Sequence, residues 1–203
     1  MKRRAIFMDR DGTISEEVGY VNHLSRYRLL PHSLEAIRLV NRAGFLAIVT
    51  TNQAGVARGY FQESLVHAVH ARLLSWVEEG GARLDAIYYC PHHPREGAPP
   101  YRADCDCRKP RPGMILRAAR EHDIDLARSY AIGDSVIDLE AGAAAGVPSL
   151  MVLTGYGRGL LEHQPERLRV APLHTSEDLL EAVRFIVARE AAAGVSAPAG
   201  EGR

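Results

Sequence analysis

Short apolar runs alternate along the chain with stretches of helical periodicity, and this alternation constrains the fold more than any other feature of the sequence. Apolar runs bounded by turn residues predict strands, whereas apolar residues three or four positions apart predict amphipathic helices. Regular alternation of the two predicts an α/β fold, in which helices cover both faces of a Rossmann-like parallel sheet. The predicted strands are 5–8, 45–50, 86–89, 130–132 and 149–153, and the predicted helices are 33–42, 62–79, 113–122, 137–145 and one capped by Thr175 that ends near residue 190.

Chain length and net charge indicate the domain organisation and the classes of partner to expect. The 203 residues fit a single domain, expected over 1–190, followed by an Ala-, Gly- and Pro-rich tail over 191–203 that we expect to be disordered. The 25 Lys and Arg residues balance the 25 Asp and Glu residues, which argues against nucleic-acid or membrane binding. The apolar run after the basic N-terminus is too short for a signal peptide, so we expect a cytoplasmic protein, and we expect a monomer.

Acidic and polar side chains stand where the predicted strands end. Asp9 and Asp11 follow the first strand, Thr51 follows the second, Asp134 follows the fourth, and Lys109 precedes a predicted helix. The carboxyl ends of parallel strands meet at one edge of a sheet, where ligand sites form. Carboxylate oxygens suit magnesium, while Lys and Thr suit phosphate oxygens. The Asp9 segment alone would also fit a simple turn, but the whole set predicts a metal and phosphate site.

In this order, the motifs resemble those of the haloacid dehalogenase superfamily of phosphatases. The resemblance spans about residues 5–160, and it implies a magnesium-dependent phosphomonoester hydrolase. The motif residues are Asp9-Arg10-Asp11-Gly12-Thr13, then Thr51, then Lys109, then Gly133-Asp134-Ser135-Val136-Ile137-Asp138.

The resemblance also implies a role for each motif residue. Asp9 attacks phosphorus and forms an aspartyl-phosphate, and Asp11 protonates the leaving oxygen before it activates water. Magnesium is bound by Asp9, Asp134 and the backbone carbonyl of Asp11, and it offsets the repulsion between nucleophile and substrate. Thr51 and Lys109 hold the non-bridging phosphate oxygens.

A segment rich in Pro, His, Cys and Arg, about residues 90–108, interrupts the alternation and holds all three cysteines of the chain. Three thiolates and one imidazole form a closed tetrahedral zinc shell, so we predict a structural zinc site in this loop. An incidental grouping of cysteines is the alternative, and His93 is a rival to His92 for the fourth position. Ordering this loop would also order Lys109, which follows it closely. The predicted zinc ligands are Cys90, His92, Cys105 and Cys107.

The loop and its flanks resemble one subgroup of the superfamily, which holds D-glycero-D-manno-heptose 1,7-bisphosphate 7-phosphatases and histidinol phosphatases. Segments 19–21, 51–59 and 87–94 look like the heptose enzymes, although Ser135 stands where some of those enzymes carry Lys. The resemblance implies a substrate pocket without a large cap domain, in which Arg108 recognises the second phosphate or sugar hydroxyls. It also implies that the pocket is lined by Glu17, Val18, Gly19, Tyr20, Asn52, Gln53 and Ala54.

Three functions are weighed on this basis. The leading one is a heptose-bisphosphate 7-phosphatase, and the second is a histidinol-phosphate phosphatase or another small-molecule phosphatase of the same family. The third is a non-catalytic zinc-loop binding protein, which would require a broken catalytic set that this chain does not have. Two weaker signals are read as structural: residues 155–159 as a mobile loop near the pocket, and His67 with His70 as a solvated helix face.

Overall fold

The structure, a computed structural model, describes residues 2–195. It contains a six-stranded parallel sheet in the order β3-β2-β1-β4-β5-β6. The strands are β1 Ala5–Met8, β2 Leu46–Asn52, β3 Ala86–Cys90, β4 Tyr130–Gly133, β5 Ser149–Val152 and β6 His174–Ser176. The helices are α1 Ser33–Arg42, α2 Glu63–Glu79, α3 Gly113–Glu121, α4 Val136–Ala144, α5 Gly157–His163 and α6 Leu179–Val195.

The central strand β1 shows why both faces of the sheet carry helices. Successive side chains of a strand point to opposite faces. Ile6 and Met8 belong to a core shared with α1, α2 and α6, whereas Ala5 and Phe7 belong to a second core shared with α3 and α4. The predicted parallel sheet with helices on both faces is confirmed.

The strand register brings the carboxyl ends of the central strands to one edge. Met8 pairs with Val49 of β2 on one side and with Ile132 of β4 on the other. The backbone N–H of Asp9 donates to the carbonyl of Ile132 at 2.9 Å, which continues the pairing by one residue. Residues that directly follow these strands therefore face a common crevice, as the sequence predicts.

The C-terminal part of the fold differs from the sequence prediction. Thr175 does not cap a helix, because it lies within β6, a strand of three residues on the edge of the sheet. The cap is Asp178, whose Oδ1 accepts from the backbone N–H of Glu181 at 2.9 Å. The helix α6 continues to Val195 rather than ending near 190. The rest of the predicted tail, 196–203, lies outside the described residues.

The segment read as a mobile loop, 155–159, is also different in the structure. The helix α5 begins at Gly157, and its Leu160 is buried against Leu139 and Met151. Two glycines in seven residues give a poor helix-forming sequence, so burial of Leu160 is what favours the helix here. Periodicity alone could not reveal a helix this short.

The connections between these elements hold no large inserted domain within the described residues. The segment after β1 contains one 3-10 turn, Leu24–Arg26, and the segment after β3 is the Cys- and His-rich loop. The predicted absence of a large cap domain is confirmed for the part of the chain described. Across residues 2–195, every helix is too short or too polar to cross a bilayer.

Candidate active site

Asp9 and Lys109 form the centre of the site. The Nζ atom of Lys109 donates to Asp9 Oδ1 at 2.5 Å and to Asp138 Oδ1 at 2.6 Å. The same ammonium donates to the carbonyl oxygen of Thr50 at 2.8 Å, so all three of its donors are used. Lys109 is 5% exposed, and its position is fixed between two strand ends.

The carboxylates here carry more negative charge than Lys109 can balance. Burial raises the pKa of Asp9 to about 7, against the opposing attraction of Lys109. Burial, with Asp9 and Asp138 nearby, also raises the pKa of Asp134. Burial alone would lower the pKa of Lys109, but Asp138 and Asp9 raise it above its ordinary value. The surplus negative charge favours a further cation at this point.

The geometry around Asp134 fits a divalent cation. One carboxylate oxygen each from Asp9, Asp134 and Asp138 lies within 4.8 Å of the others. Gly12 and Gly155, with φ of +88° and +55°, approach the Asp134 carboxylate so closely that a Cβ on either would overlap it. Hard oxygen ligands are the ones that Mg²⁺ prefers. These residues can therefore hold magnesium, and only glycine fits at the two flanking positions.

Asp138 is held by the helix that follows β4. It is the third residue of α4, and its Oδ2 accepts from the Ser135 hydroxyl at 2.5 Å and from the Ser135 backbone N–H at 3.2 Å. The backbone N–H of Asp138 donates in return to the Ser135 side chain, and the two residues together form a capping box. Oδ1 of Asp138 remains available to Lys109, so Asp138 positions the Lys109 ammonium that contacts Asp9.

Asp11 is clamped from two sides. Arg10 donates from Nε and Nη2 to the two carboxylate oxygens of Asp11 at 3.0 and 2.8 Å. Gln53 Nε2 donates to Asp11 Oδ2 at 2.9 Å and to Thr51 Oγ1 at 2.9 Å. Arg10 is only 1% exposed, and its Nη1 donates to His70 Nε2 at 3.1 Å. The buried guanidinium of Arg10 therefore orients the Asp11 carboxylate, and the hydrogen bond to His70 orients the guanidinium in turn.

The prediction that His67 and His70 lie on a solvated helix face is wrong for His70. His67 is exposed, but His70 is 8% exposed. Burial lowers the pKa of His70 to about 3, and the positive charge of Arg10 adds to this effect, so the ring is a neutral acceptor. The signal that could have revealed it is its spacing, since it falls between Val66 and Leu73 on the buried face of α2.

The cysteine cluster is compact. Cys105 Sγ lies 3.5 Å from Cys90 Sγ and 3.2 Å from Cys107 Sγ. His92 Nδ1 lies 3.7 Å from Cys90 Sγ and 3.4 Å from Cys107 Sγ. Ligand pairs around one tetrahedral zinc are separated by roughly 3.5–3.8 Å, so the four side chains fit a zinc ion. Hydrogen bonding from Cys90 and Cys105 lowers the pKa of Cys107 to about 5, which favours the thiolate form.

His93, the rival ligand, is engaged elsewhere. Its Nδ1 accepts from the backbone N–H of Glu96 at 2.9 Å, and its Nε2 lies 3.3 Å from Arg58 Nη2 and 3.5 Å from Glu96 Oε1. The structure brings His92, rather than His93, together with the three cysteines.

Asn52 connects the cysteine loop to the sheet. Its side-chain amide donates to the carbonyl of Lys109 and accepts from the backbone N–H of Lys109, both at 3.1 Å. This double hydrogen bond ties the last part of the loop to the end of β2. An ordered loop therefore sets the position of the Lys109 backbone, as the sequence suggests.

A cavity of about 250 Å³ opens in front of Asp9. Of the residues expected to contact substrate, five line it, and Val18, Ala54 and Arg108 do not. Val18 packs against the core, Ala54 is buried, and Arg108 Nη1 donates to the carbonyl of His92 at 3.3 Å. The five predicted residues that line the cavity are Glu17, Gly19, Tyr20, Asn52 and Gln53.

Several residues of the cavity wall were not assigned to the pocket from the sequence, and two of them lie far along the chain from the predicted pocket segments. Tyr156 and Arg167 come from the segment that follows β5. The side chain of Tyr156 lies close to Glu17, and burial raises the pKa of Glu17 above its ordinary value. No motif marks either residue, because their placement depends on the short helix α5.

Comparison with known proteins agrees with this geometry. A family model described as HAD-hydrolase-like matches residues 106–182. The D-glycero-beta-D-manno-heptose-1,7-bisphosphate 7-phosphatase of Pasteurella multocida (strain Pm70) is 42% identical over 158 residues, which cover 75% of this chain and 83% of that protein. The D-glycero-D-manno-heptose-1,7-bisphosphate 7-phosphatase of Thermosynechococcus vestitus is 40% identical over 190 residues, 92% of this chain and 96% of that protein.

A solved structure is also similar. The crystal structure of D,D-heptose 1,7-bisphosphate phosphatase from B. bronchiseptica, complexed with magnesium and phosphate, superposes with a TM-score of 0.81 at 35% identity. The match covers 92% of this chain and 99% of that one.

The parallel sheet and its strand-end carboxylates, with Lys109 between them, define a phosphatase of the haloacid dehalogenase type. This identifies the reaction as hydrolysis of a phosphomonoester. Within this class, the chain belongs to the family of the D-glycero-D-manno-heptose-1,7-bisphosphate 7-phosphatases.

Proposed function

We propose that this protein removes the 7-phosphate of D-glycero-D-manno-heptose 1,7-bisphosphate. The observation that carries the proposal is the similarity to relatives of that name, which extends over 92% of this chain and 96% of the relative from T. vestitus. The cavity in front of Asp9 supports it, because it joins a nucleophile to polar groups that suit a sugar. Histidinol phosphate is the alternative substrate, and no contact in the described residues favours it.

Asp9 is the nucleophile in this proposal. Its Oδ1 is held by Lys109, and attack on phosphorus breaks the bond to the sugar oxygen and forms an aspartyl-phosphate. Lys109 and Thr51 hold the non-bridging oxygens as negative charge develops on them. Both side chains line the cavity beside Asp9.

Asp11 is the acid and then the base. Its carboxyl group gives a proton to the departing sugar oxygen, and the resulting carboxylate then takes a proton from the water that hydrolyses the aspartyl-phosphate. Arg10 and Gln53 fix both of its oxygens, so the proton is delivered along a defined direction. Asp11 thus loses one proton to the sugar in the first step and regains one from water in the second.

Magnesium, bound by Asp9 and Asp134 with the backbone carbonyl of Asp11, supplies positive charge that lets two anions approach each other. The carboxylate cluster and its flanking glycines support this assignment. Asp138 remains a positioning residue, since both of its oxygens are already engaged.

We also propose that the cysteine loop holds one structural zinc ion, bound by Cys90, His92, Cys105 and Cys107. The close approach of the four ligand atoms supports it. Four protein ligands leave no open position for substrate, so the ion orders the loop rather than taking part in the reaction. The cytoplasmic location and the monomeric state stay predictions.

The test is phosphate release from both anomers of heptose 1,7-bisphosphate and from histidinol phosphate, with and without magnesium. The proposal predicts magnesium-dependent turnover with a kcat/KM for one heptose anomer well above that for histidinol phosphate. A preference for histidinol phosphate would contradict the substrate assignment but not the chemistry of the site. Metal analysis of the purified protein should give about one zinc per chain.

A further inference from the structure

Two walls of the cavity are held in different ways. At one wall, the backbone N–H of Tyr156 donates to Asp134 Oδ2 at 2.8 Å, so the carboxylate cluster itself fixes the chain there. At another wall stands Tyr20, which lines the cavity and is 37% exposed. Its ring packs edge-to-face on Tyr60, with the ring centroids 4.8 Å apart, and lies 6.4 Å from the ring of Phe61. Tyr20 is therefore supported by side chains of the segment that follows β2.

This supporting segment, residues 53–61, is a compact loop. The backbone N–H of Tyr60 donates to the carbonyl of Gly55 at 2.9 Å. A Cβ at Gly55 would overlap the ring of Phe61 and crowd the ring of Tyr20, so the absence of a side chain at this position is what lets the rings pack. A displacement of the loop would therefore displace the support of Tyr20.

The outer limb of the cysteine loop, residues 93–102, is attached to the supporting segment through Arg58. Arg58 Nη2 forms an ion pair with Glu96 Oε1 at 3.0 Å and lies 3.3 Å from His93 Nε2. The same guanidinium lies close to the side chain of Tyr60. Arg58 thus joins the outer limb to the residue on which Tyr20 rests.

Two further contacts hold the outer limb in this position. Gly97, with φ of +85°, approaches Ala57 so closely that a Cβ would overlap the carbonyl oxygen of Ala57. The hydroxyl of Tyr101 donates to Glu63 Oε2, at the start of α2, at 2.7 Å. These contacts use side chains other than the four predicted zinc ligands. The outer limb therefore has attachments of its own, separate from those at the metal end of the loop.

We propose that Arg58 is a positioning residue for substrate binding, which ties the outer limb of the cysteine loop to Tyr60 and so holds Tyr20 in place against the sugar. The inference rests on the proposed function, since that function makes the cavity wall a sugar contact. A wall that is ordered beforehand need not be ordered at the expense of binding free energy. Loss of Arg58 should weaken substrate and transition-state binding alike, and such a change raises KM while kcat stays nearly constant.

The catalytic groups are held separately from Arg58, which is why the effect should fall on KM. Arg58 does not line the cavity. Gln53, which contacts Asp11, is fixed at the other end of the supporting segment, where its backbone N–H donates to the carbonyl of Cys90 at 2.7 Å. This bond continues the pairing of β2 with β3 and does not depend on the outer limb.

The experiment is steady-state kinetics of Arg58→Met on heptose 1,7-bisphosphate with magnesium. Methionine keeps an apolar stem and removes the charge and its donors. Loss of one partly exposed charged contact predicts that KM rises about three- to tenfold, with kcat within about twofold of the wild type. Arg58→Lys keeps the charge and should recover part of the KM. Arg95→Met, which changes an exposed arginine of the same limb, should match the wild type.

A double-mutant cycle tests whether Arg58 acts through Tyr20. Tyr20→Ala should raise KM by itself, and adding Arg58→Met should raise it no further, because the supported ring is already gone. The zinc content of Arg58→Met should equal that of the wild type, since Arg58 contacts the outer limb and not the zinc ligands.

Three outcomes would overturn the positioning role while leaving the proposed function intact: an unchanged KM in Arg58→Met, a loss confined to kcat, or additive effects of Arg58→Met and Tyr20→Ala on KM. A wild-type enzyme that is inactive on heptose 1,7-bisphosphate would instead overturn the proposed function and this assignment together.

Discussion

His70 supplies the most direct test of how Asp11 is positioned. His70 does not line the cavity and contacts the site only through Arg10. Its Nε2 accepts a hydrogen bond from Arg10 Nη1 at 3.1 Å. The perturbation is His70→Leu, which removes the acceptor and keeps an apolar side chain at a buried helix position. The matched control is His70→Gln, whose side-chain oxygen can take the place of Nε2.

The magnitude follows from the burial of Arg10, which is 1% exposed. An unsatisfied donor in such a place costs about 1–3 kcal/mol, so the free energy of unfolding should fall by that amount in His70→Leu. The guanidinium would also lose one of the contacts that orient it against Asp11. General acid catalysis typically raises the rate roughly 10²- to 10⁴-fold. We expect a less firmly oriented Asp11 to lower this rate enhancement on the order of tenfold.

The assay separates this effect from general damage by varying the leaving group. A sugar oxygen needs a proton to leave, whereas the nitrophenolate of p-nitrophenyl phosphate does not. Because kcat/KM reports steps up to departure of the leaving group, His70→Leu should lower it about tenfold for the sugar phosphate and much less for the aryl ester. His70→Gln should restore most of the difference. Equal losses on both substrates, or no rescue by Gln, would refute the reasoning.

Four other outcomes are expected. Asp9→Asn should lower kcat on the order of 10³-fold or more while thermal stability persists, and turnover near the wild-type rate would remove Asp9 as nucleophile. Gly155→Ala should lower magnesium affinity at least about tenfold, as titration calorimetry would show, because a Cβ there overlaps the Asp134 carboxylate at φ +55°. Cys105→Ser should lower the zinc content below one per chain and raise KM, and full zinc retention would argue against this ligand set. The pKa of His70 falls to about 3, so the contribution of His70 to the free energy of unfolding is complete above pH 6.5 and is lost as the pH falls toward 3. Denaturation of the wild type should show this loss, up to about 1.4 kcal/mol per pH unit. Denaturation of His70→Gln should not show it.

The sequence was most informative where buried strands end. The run at 5–8 is apolar throughout and fully buried, so its end could be located, and with it the position of Asp9. Strand β6 was missed because its three residues, His174, Thr175 and Ser176, carry no apolar pattern. It is held instead by pairing with β5 at the edge of the sheet, and such an interaction between distant segments leaves no local signature.

Side-chain direction is what the sequence could not supply for the substrate pocket. Family resemblance implied the segments around Tyr20 and Gln53, and both residues line the cavity. Within them it could not separate Gly19 from Val18, or Gln53 from Ala54, because neighbouring residues of a loop point to different sides. Arg167 carried no motif at all, since its proximity to Asp9 arises only after α5 has packed against the core.

The hydrogen bond from the Tyr156 backbone to Asp134 has a thermodynamic consequence. It makes one carboxylate oxygen common to the metal cluster and to the segment that carries Tyr156, a residue of the cavity wall. If cation binding steadies that segment, occupancy of the metal site is linked to occupancy of the cavity by substrate. Linkage between binding sites is reciprocal. The factor by which magnesium tightens binding of a bisphosphate must then equal the factor by which the bisphosphate tightens binding of magnesium. An enzyme built in this way would retain its metal best while substrate is abundant and release it most readily when substrate is scarce.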